Sequence, residues 1–182
     1  MSERIQRICR VGLMASLAIV LALIEGMLPA IPLLPPGVKL GLSNVVTMYC
    51  LVFLGKREGL CVGLIKSLFV LLLRGMTAFF LSLTGGVFSI AVMSMLIWWC
   101  GEGLSLFLVS AAGAIAHNLG QLLAAALLLK SVYTLYLWPL LVLSGLVMGM
   151  VTGILLKVTL PALRRTCTVF SGRAGHGKNT NA

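Results

Sequence analysis

Residues 59–73 read Gly-Leu-Cys-Val-Gly-Leu-Ile-Lys-Ser-Leu-Phe-Val-Leu-Leu-Leu, and Arg74 follows. The stretch is apolar except for Lys66 and Ser67, and it approaches the roughly 20 residues that a membrane-spanning helix needs. A charge placed in such a segment costs on the order of 2.5–3.5 kcal/mol on insertion scales, and is kept where it faces a bundle interior or a polar cavity. Glu25, Arg74 and His117 interrupt other hydrophobic stretches in the same way.

Working outward from this stretch, the whole chain is 60% apolar and only 10% charged, against about 25% charged in soluble domains. Too little polar surface remains to cover a soluble core. Six segments have spanning character: residues 11–28, 40–54, 59–73, 85–99, 104–129 and 138–160. The second, third and fourth are short. The connectors between them are short as well, which makes sequential helices antiparallel neighbours. Residues 74–84 read as one of these connectors. The expected fold is all-α, a six-transmembrane-helix bundle over residues 1–165. A polar, Gly-rich tail follows over 166–182, and its composition predicts disorder. The basic start (Arg4, Arg7, Arg10) followed by an apolar run resembles a signal peptide. No small-residue cleavage site follows, so a retained first helix is expected.

Orientation follows from the lysines and arginines. With a cytoplasmic N-terminus, the inner ends carry Arg4, Arg7, Arg10, Lys56, Arg57, Lys157, Arg164, Arg165, Arg173 and Lys178, ten of the 14 basic residues. The outer ends carry Lys39, Arg74 and Lys130. Both termini are therefore expected in the cytoplasm, and the localisation expected is the cell membrane. The net charge of +10 becomes an orientation signal rather than a nucleic-acid footprint. The five cysteines, Cys9, Cys50, Cys61, Cys100 and Cys167, fall toward the inner side and form no C-x-x-C pair, so neither metal nor disulfide is expected.

Depth along each helix, at 1.5 Å per residue, gathers the polar side chains in the outer half. Glu25 lies near the outer end of the first helix, and Lys39, Ser43 and Asn44 near that of the second. Lys66 lies near mid-membrane and Arg74 at the outer end of the third. His117, Asn118 and Gln121 lie in the outer half of the fifth, with His117 and Gln121 on one face at i and i+4. Lys39, Asn44, Lys66, Arg74, His117, Asn118 and Gln121 are the expected ligand-binding set. Lys39, Lys66 and Arg74 outnumber Glu25, which favours an anionic or carbonyl-rich small molecule. Thr84-Gly85-Gly86 reads as a helix start whose free N–H groups suit an anion. Several alternatives stay open. Lys39 and Arg74 also suit snorkelling to headgroups, and His117 and Asn118 suit inter-helix hydrogen bonding. Glu25 and Lys66 suit either mutual pairing or ligand contact. The loop holding Pro29, Pro32, Pro35 and Pro36 is either a rigid turn or a wall over the pocket.

Small residues recur at helix-packing spacing: Ala15, Ala18 and Ala22 on the first helix, Ala112, Ala116, Gly120 and Ala124 on the fifth, and Gly145, Gly149 and Gly153 on the sixth. Such faces let backbones approach closely, within the bundle or against a partner. For catalysis the inventory is thin. There is no Asp anywhere in the chain, which excludes an Asp-rich diphosphate–Mg²⁺ site, and there is no P-loop, H-E-x-x-H or G-x-S-x-G. A non-enzymatic binding protein without a cofactor is expected.

Three stretches carry a family resemblance: Pro-Pro-Gly-Val-Lys-Leu-Gly-Leu-Ser-Asn-Val-Val-Thr-Met-Tyr (35–49), Phe-Leu-Ser-Leu-Thr-Gly-Gly (80–86) and Ala-His-Asn-Leu-Gly-Gln-Leu (116–122). Together they resemble the Gx transporter family, also labelled heptaprenyl diphosphate synthase component I. That family is in turn similar to the S components of energy-coupling factor (ECF) transporters. The resemblance implies a six-helix subunit that captures a vitamin, quinone or prenyl precursor from outside and works with a T subunit and two ATPase subunits. It also implies that Ala15, Ala18 and Ala22 form a docking face for the T subunit. The synthase label implies instead a non-catalytic accessory role in polyprenyl diphosphate or menaquinone biosynthesis.

Overall fold

The computed structural model describes residues 3–27, 41–100 and 105–172. Lys39, the proline-rich loop and the end of the tail from residue 173 lie outside the described residues. Within them the chain is helical: α1 (Glu3–Met27), α2 (Leu42–Tyr49) continued by a π-helical turn (Cys50–Leu54), α3 (Lys56–Cys100), α4 (Leu106–Leu129), a 3₁₀ segment (Val132–Leu137) and α5 (Trp138–Gly172). Helix α1, α3, α4 and the Val132–Pro161 stretch are each long and apolar enough to cross a membrane, whereas Leu42–Leu54 is a shorter apolar helix.

At 45 residues, α3 would be about 67 Å long if straight, twice a bilayer's hydrocarbon thickness of about 30 Å. It is not straight. Gly75 sits at φ 80°, ψ −176°, a backbone region used almost only by glycine. Ser67 and Ser82 lie on either side of it and their hydroxyls are 3.2 Å apart. In a continuous helix those residues would be about 22 Å apart along the axis. A Cβ on Gly63 would touch Ile90. The chain therefore doubles back at Gly75, and limbs 56–74 and 76–100 pack side by side as a helical hairpin.

This corrects the expected 74–84 connector. One residue makes the reversal, and the second limb is helical from 76 rather than from 85. Thr84 does not break the helix, because its hydroxyl donates to the Phe80 carbonyl at 2.7 Å and stays satisfied inside the limb. Thr84-Gly85-Gly86 is thus mid-helix, with no free N-terminal donors for an anion. Its glycine serves packing instead. A Cβ on Gly85 would lie 2.9 Å from the His117 carbonyl, and one on Gly120 would lie 3.0 Å from the Thr84 carbonyl, so α3 and α4 cross in backbone contact.

The α4–α5 seam follows the same rule. Gly145 and Gly149 of α5 face Ile115 and Ala111 of α4 closely enough that a Cβ would clash with backbone. Ser110 donates to the Gly149 carbonyl at 2.7 Å. Helix α1 packs on α2 and α3, with Met14, Ala15 and Ala18 in the core beside Val46, Met48 and Val62. Ala15 and Ala18 are buried and Ala22 lines an internal cavity, so the chain's own helices cover the α1 face expected to dock a partner. Helix α5 continues past the expected end at Leu160 to Gly172, so residues 166–172 are helical.

The outer surface is apolar too. Leu72, Leu127 and Val158 are 81%, 71% and 70% exposed, an arrangement stable in hydrocarbon and aggregation-prone in water. The Gly75 turn gives a direct test of the hairpin. Gly75→Ala meets no steric contact but forces alanine into a glycine-only backbone region, and should lower stability by about 1–3 kcal/mol. Gly86→Ala, also uncrowded but helical, should be neutral or gain up to about 1 kcal/mol. Thermal unfolding of both variants in detergent checks the pair; equal midpoints would mean that the turn does not depend on Gly75.

Candidate functional site

A cavity of about 230 Å³ lies within the bundle and is walled by all five helices. Helix α1 contributes Glu25, α2 Asn44, α3 Lys66 and Arg74, α4 His117 and Gln121, and α5 Thr152. Six of the seven side chains expected from the sequence line this one space, Asn118 being the sixth; Lys39 lies outside the described residues. The hairpin is what assembles the cationic wall. Lys66, Val70 and Arg74 fall at i, i+4 and i+8 on the first limb, so all three face the cavity, and the reversal at Gly75 brings Ala78 and Ser82 of the second limb opposite them.

Lys66 is buried, 5% exposed, and its ammonium donates to Asn44 Oδ1 at 2.7 Å. A charge hydrogen-bonded in this way tolerates burial that an isolated ammonium would not. Glu25, 7% exposed, accepts a hydrogen bond from the Gly41 N–H. Gly41 is the N-cap of α2, in the left-handed region at φ 75°, so the carboxylate sits where the helix dipole favours a negative charge. Each buried charge is thus tied to α2, Lys66 through Asn44 and Glu25 through Gly41. Arg74 lies at the same end. A Cβ on Gly26 would be 2.7 Å from its guanidinium, so the arginine rests on the α1 backbone beside Glu25. The Arg74 side chain is exposed and lines the cavity rim.

Asn118 has a structural task. Its Nδ2 donates to the Leu141 carbonyl at 3.0 Å and to Ser144 Oγ at 3.3 Å, which ties α4 to α5. Of the two readings open for this residue, inter-helix bonding describes its amide. Thr152 donates to the Met148 carbonyl and closes the α5 wall.

The cavity also reaches deeper than the outer-half cluster expected from the sequence, to Ser89, Met93, Ser110 and Gly113. The sequence holds a signal for these in its spacing. Ser110, Gly113, Ala114, His117 and Gln121 form a single i, i+3/i+4 stripe on α4, and Ser89–Met93 and Met148–Thr152 are i, i+4 pairs. Apolar and small members hide that stripe from a reading based on polarity alone.

At the far end of the bundle, Glu58 in the first turn of α3 pairs with Arg7 of α1 at 2.5 Å, away from the cavity. Among the described residues no group of three or more His, Cys, Asp or Glu side chains converges as a metal site would require.

The polar pair at the cavity centre has a testable asymmetry. Asn44→Leu removes the Lys66 acceptor while leaving the buried ammonium, and should cost about 1–3 kcal/mol. Lys66→Met removes the charge with little change of volume and should fold at least as stably as the parent, since buried charges give little net stability. Melting in detergent reads both; a Lys66→Met variant that loses more stability than Asn44→Leu would make Lys66 a structural keystone rather than a site residue.

No curated protein and no solved structure matches the chain. A protein-family model described as heptaprenyl diphosphate synthase component I matches residues 14–159, a span that includes every residue lining the cavity. The chain belongs to the heptaprenyl diphosphate synthase component I family.

Proposed function

We propose that this protein is a non-catalytic, membrane-embedded binding subunit that captures a small anionic or carbonyl-rich molecule from outside the cell, in the manner of an ECF S component. The observation that carries this reading is the cavity with two cations, Lys66 and Arg74, against one carboxylate, Glu25. An internal space of that charge, in a chain with an apolar exterior, suits reception of an anion far better than it suits a structural core.

The proposed orientation is six passes with both termini in the cytoplasm. Each limb of α3 then counts as one pass, with lengths of about 28 Å and 37 Å, and Leu42–Leu54 is a short sixth. Trp98 and Trp99 stand at one end of the bundle and Tyr133, Tyr136 and Trp138 at the other. All five are exposed, and α4 between them is about 36 Å long. Such aromatic pairs of belts mark the two membrane interfaces. Arg4, Arg7, Lys56, Arg57 and Lys157 collect at the end away from Gly75, which becomes the cytoplasmic end by the positive-inside rule. The cavity rim at Glu25 and Arg74 then faces out. Asn44, Lys66, Arg74, His117 and Gln121, with Lys39, are the proposed binding set, which Asn118 joins through its carbonyl oxygen alone, its amino group being bonded to α5; a T subunit and two ATPases are the proposed partners, and the cell membrane is the proposed location.

The family's description favours a second reading. A component of heptaprenyl diphosphate synthase would use the same cationic cavity for a diphosphate head and would recruit a soluble synthase subunit. Purification in mild detergent, with mass spectrometry of co-purifying proteins and small molecules, separates the two. The importer reading expects an ATPase pair and a T-like membrane subunit. Recovery of a soluble prenyl synthase without them would establish the second reading in its place. In either case Lys66→Met and Arg74→Gln should lose the co-purifying small molecule by at least tenfold while retaining the protein partners.

A further inference from the structure

The cavity is lined in part by methionine. Met48 of α2, Met93 of the second α3 limb and Met148 of α5 all line it, each from a different helix and each more than nine-tenths buried. Along the helix axes, Lys66 lies about 14 Å from the Gly75 turn and Met93 about 27 Å, so Met93 lies well beyond the cations. The packing around Met93 is cut to fit. A Cβ on Gly113 of α4 would lie 2.7 Å from its sulfur, so a larger residue there would displace the thioether. The hydroxyl beside it on Ser110 is committed to the Gly149 carbonyl.

Thioethers are polarizable and favour the edges and faces of aromatic rings at about 5 Å. Three thioethers also suit a soft cation such as Cu(I), but Lys66 and Arg74 share the space and repel it. The cavity's 230 Å³ falls below the roughly 300–1,000 Å³ of pockets that enclose drug-sized ligands, which suits a compact ligand. We propose that the cavity takes a compact ring-bearing anion, its acidic group held by Lys66 and Arg74 and its flat ring seated on Met48, Met93 and Met148. This inference rests on the reading of the cavity as an anion-binding site.

Three matched probes test it on the full chain in detergent micelles: 2-naphthoate, its saturated analogue decahydro-2-naphthoate, and neutral 2-naphthylmethanol. Naphthoate should bind about tenfold more tightly than the saturated acid, and the neutral alcohol should bind weakest. Met48→Leu, Met93→Leu and Met148→Leu keep the bulk and remove the sulfur, and together they should bring the two acids to equal affinity. Equal affinities in the parent chain overturn the proposal, as do Leu variants that keep the aromatic preference, Cu(I) binding in place of the acids, or failure of naphthoate to bind. Lys66→Gln separates the two levels of argument and should weaken both acids at least tenfold. If that dependence holds while the ring preference is missing, the methionine contacts alone fail. If Lys66→Gln changes neither acid, the anion reading fails and this proposal falls with it.

Discussion

The reversal at Gly75 is the constraint on which the rest of the bundle depends. A single residue in a glycine-only backbone region folds 45 residues of apolar helix back on themselves, and the Ser67–Ser82 hydroxyl contact records how tightly the limbs close. No loop intervenes to spread them apart. The second limb can then lie against α4 along Gly85 and Gly120, and α4 in turn against α5 along Gly145 and Gly149. The tight backbone crossings run consecutively along the chain from the hairpin to α5. Helices α1 and α2 pack through Met14, Val46 and Met48 beside the smaller Ala15 and Ala18. The cavity lies among all of these helices.

Much of this is legible in the sequence, and what escapes has physical causes. Hydropathy identifies the spanning segments because lipid demands long apolar runs. Lys66 stands out because a charge in such a run needs a polar partner, and Asn44 Oδ1 supplies one. The 74–84 segment is misleading because Ser82, Thr84, Gly85 and Gly86 carry the composition of a loop. In an apolar helix, however, hydroxyls are satisfied by their own backbone, as Thr84 is by the Phe80 carbonyl, and glycines mark helix crossings. The turn residue itself, Gly75, is an isolated glycine beside an arginine and carries no second breaker. The α1 alanines show the converse difficulty. A small-residue face announces close approach but not by whom, and here the chain's own core takes Ala15 and Ala18.

Charge placement in the cavity follows from the position of α2. The Glu25 carboxylate is bonded to the Gly41 N–H at the start of α2, where the helix dipole stabilises it. Asn44, one turn further along α2, accepts from Lys66. Both charges are therefore registered to one short helix. Arg74, at the rim, is set by the hairpin. A short helix carrying two polar anchors thus fixes the carboxylate and the ammonium on neighbouring turns and leaves the arginine as the second cation.

That imbalance is the physical basis for proposing an anion as the cavity's ligand. With Glu25 offsetting one cation, one positive charge remains in a space whose surroundings are protein and lipid. At an effective dielectric of about 20, unit charges 4 Å apart attract by about 4 kcal/mol, against about 1 kcal/mol in water. The cost of burying the Lys66 ammonium and the gain from meeting an anion are the same electrostatic effect, since removing the lining from water raises both. A sequence under selection for stability alone would replace Lys66 with a residue such as methionine or leucine, as buried ion pairs elsewhere can be replaced without loss. Lysine at a position 5% exposed, on the face that Arg74 shares, is the charge that the proposed anionic ligand would complete.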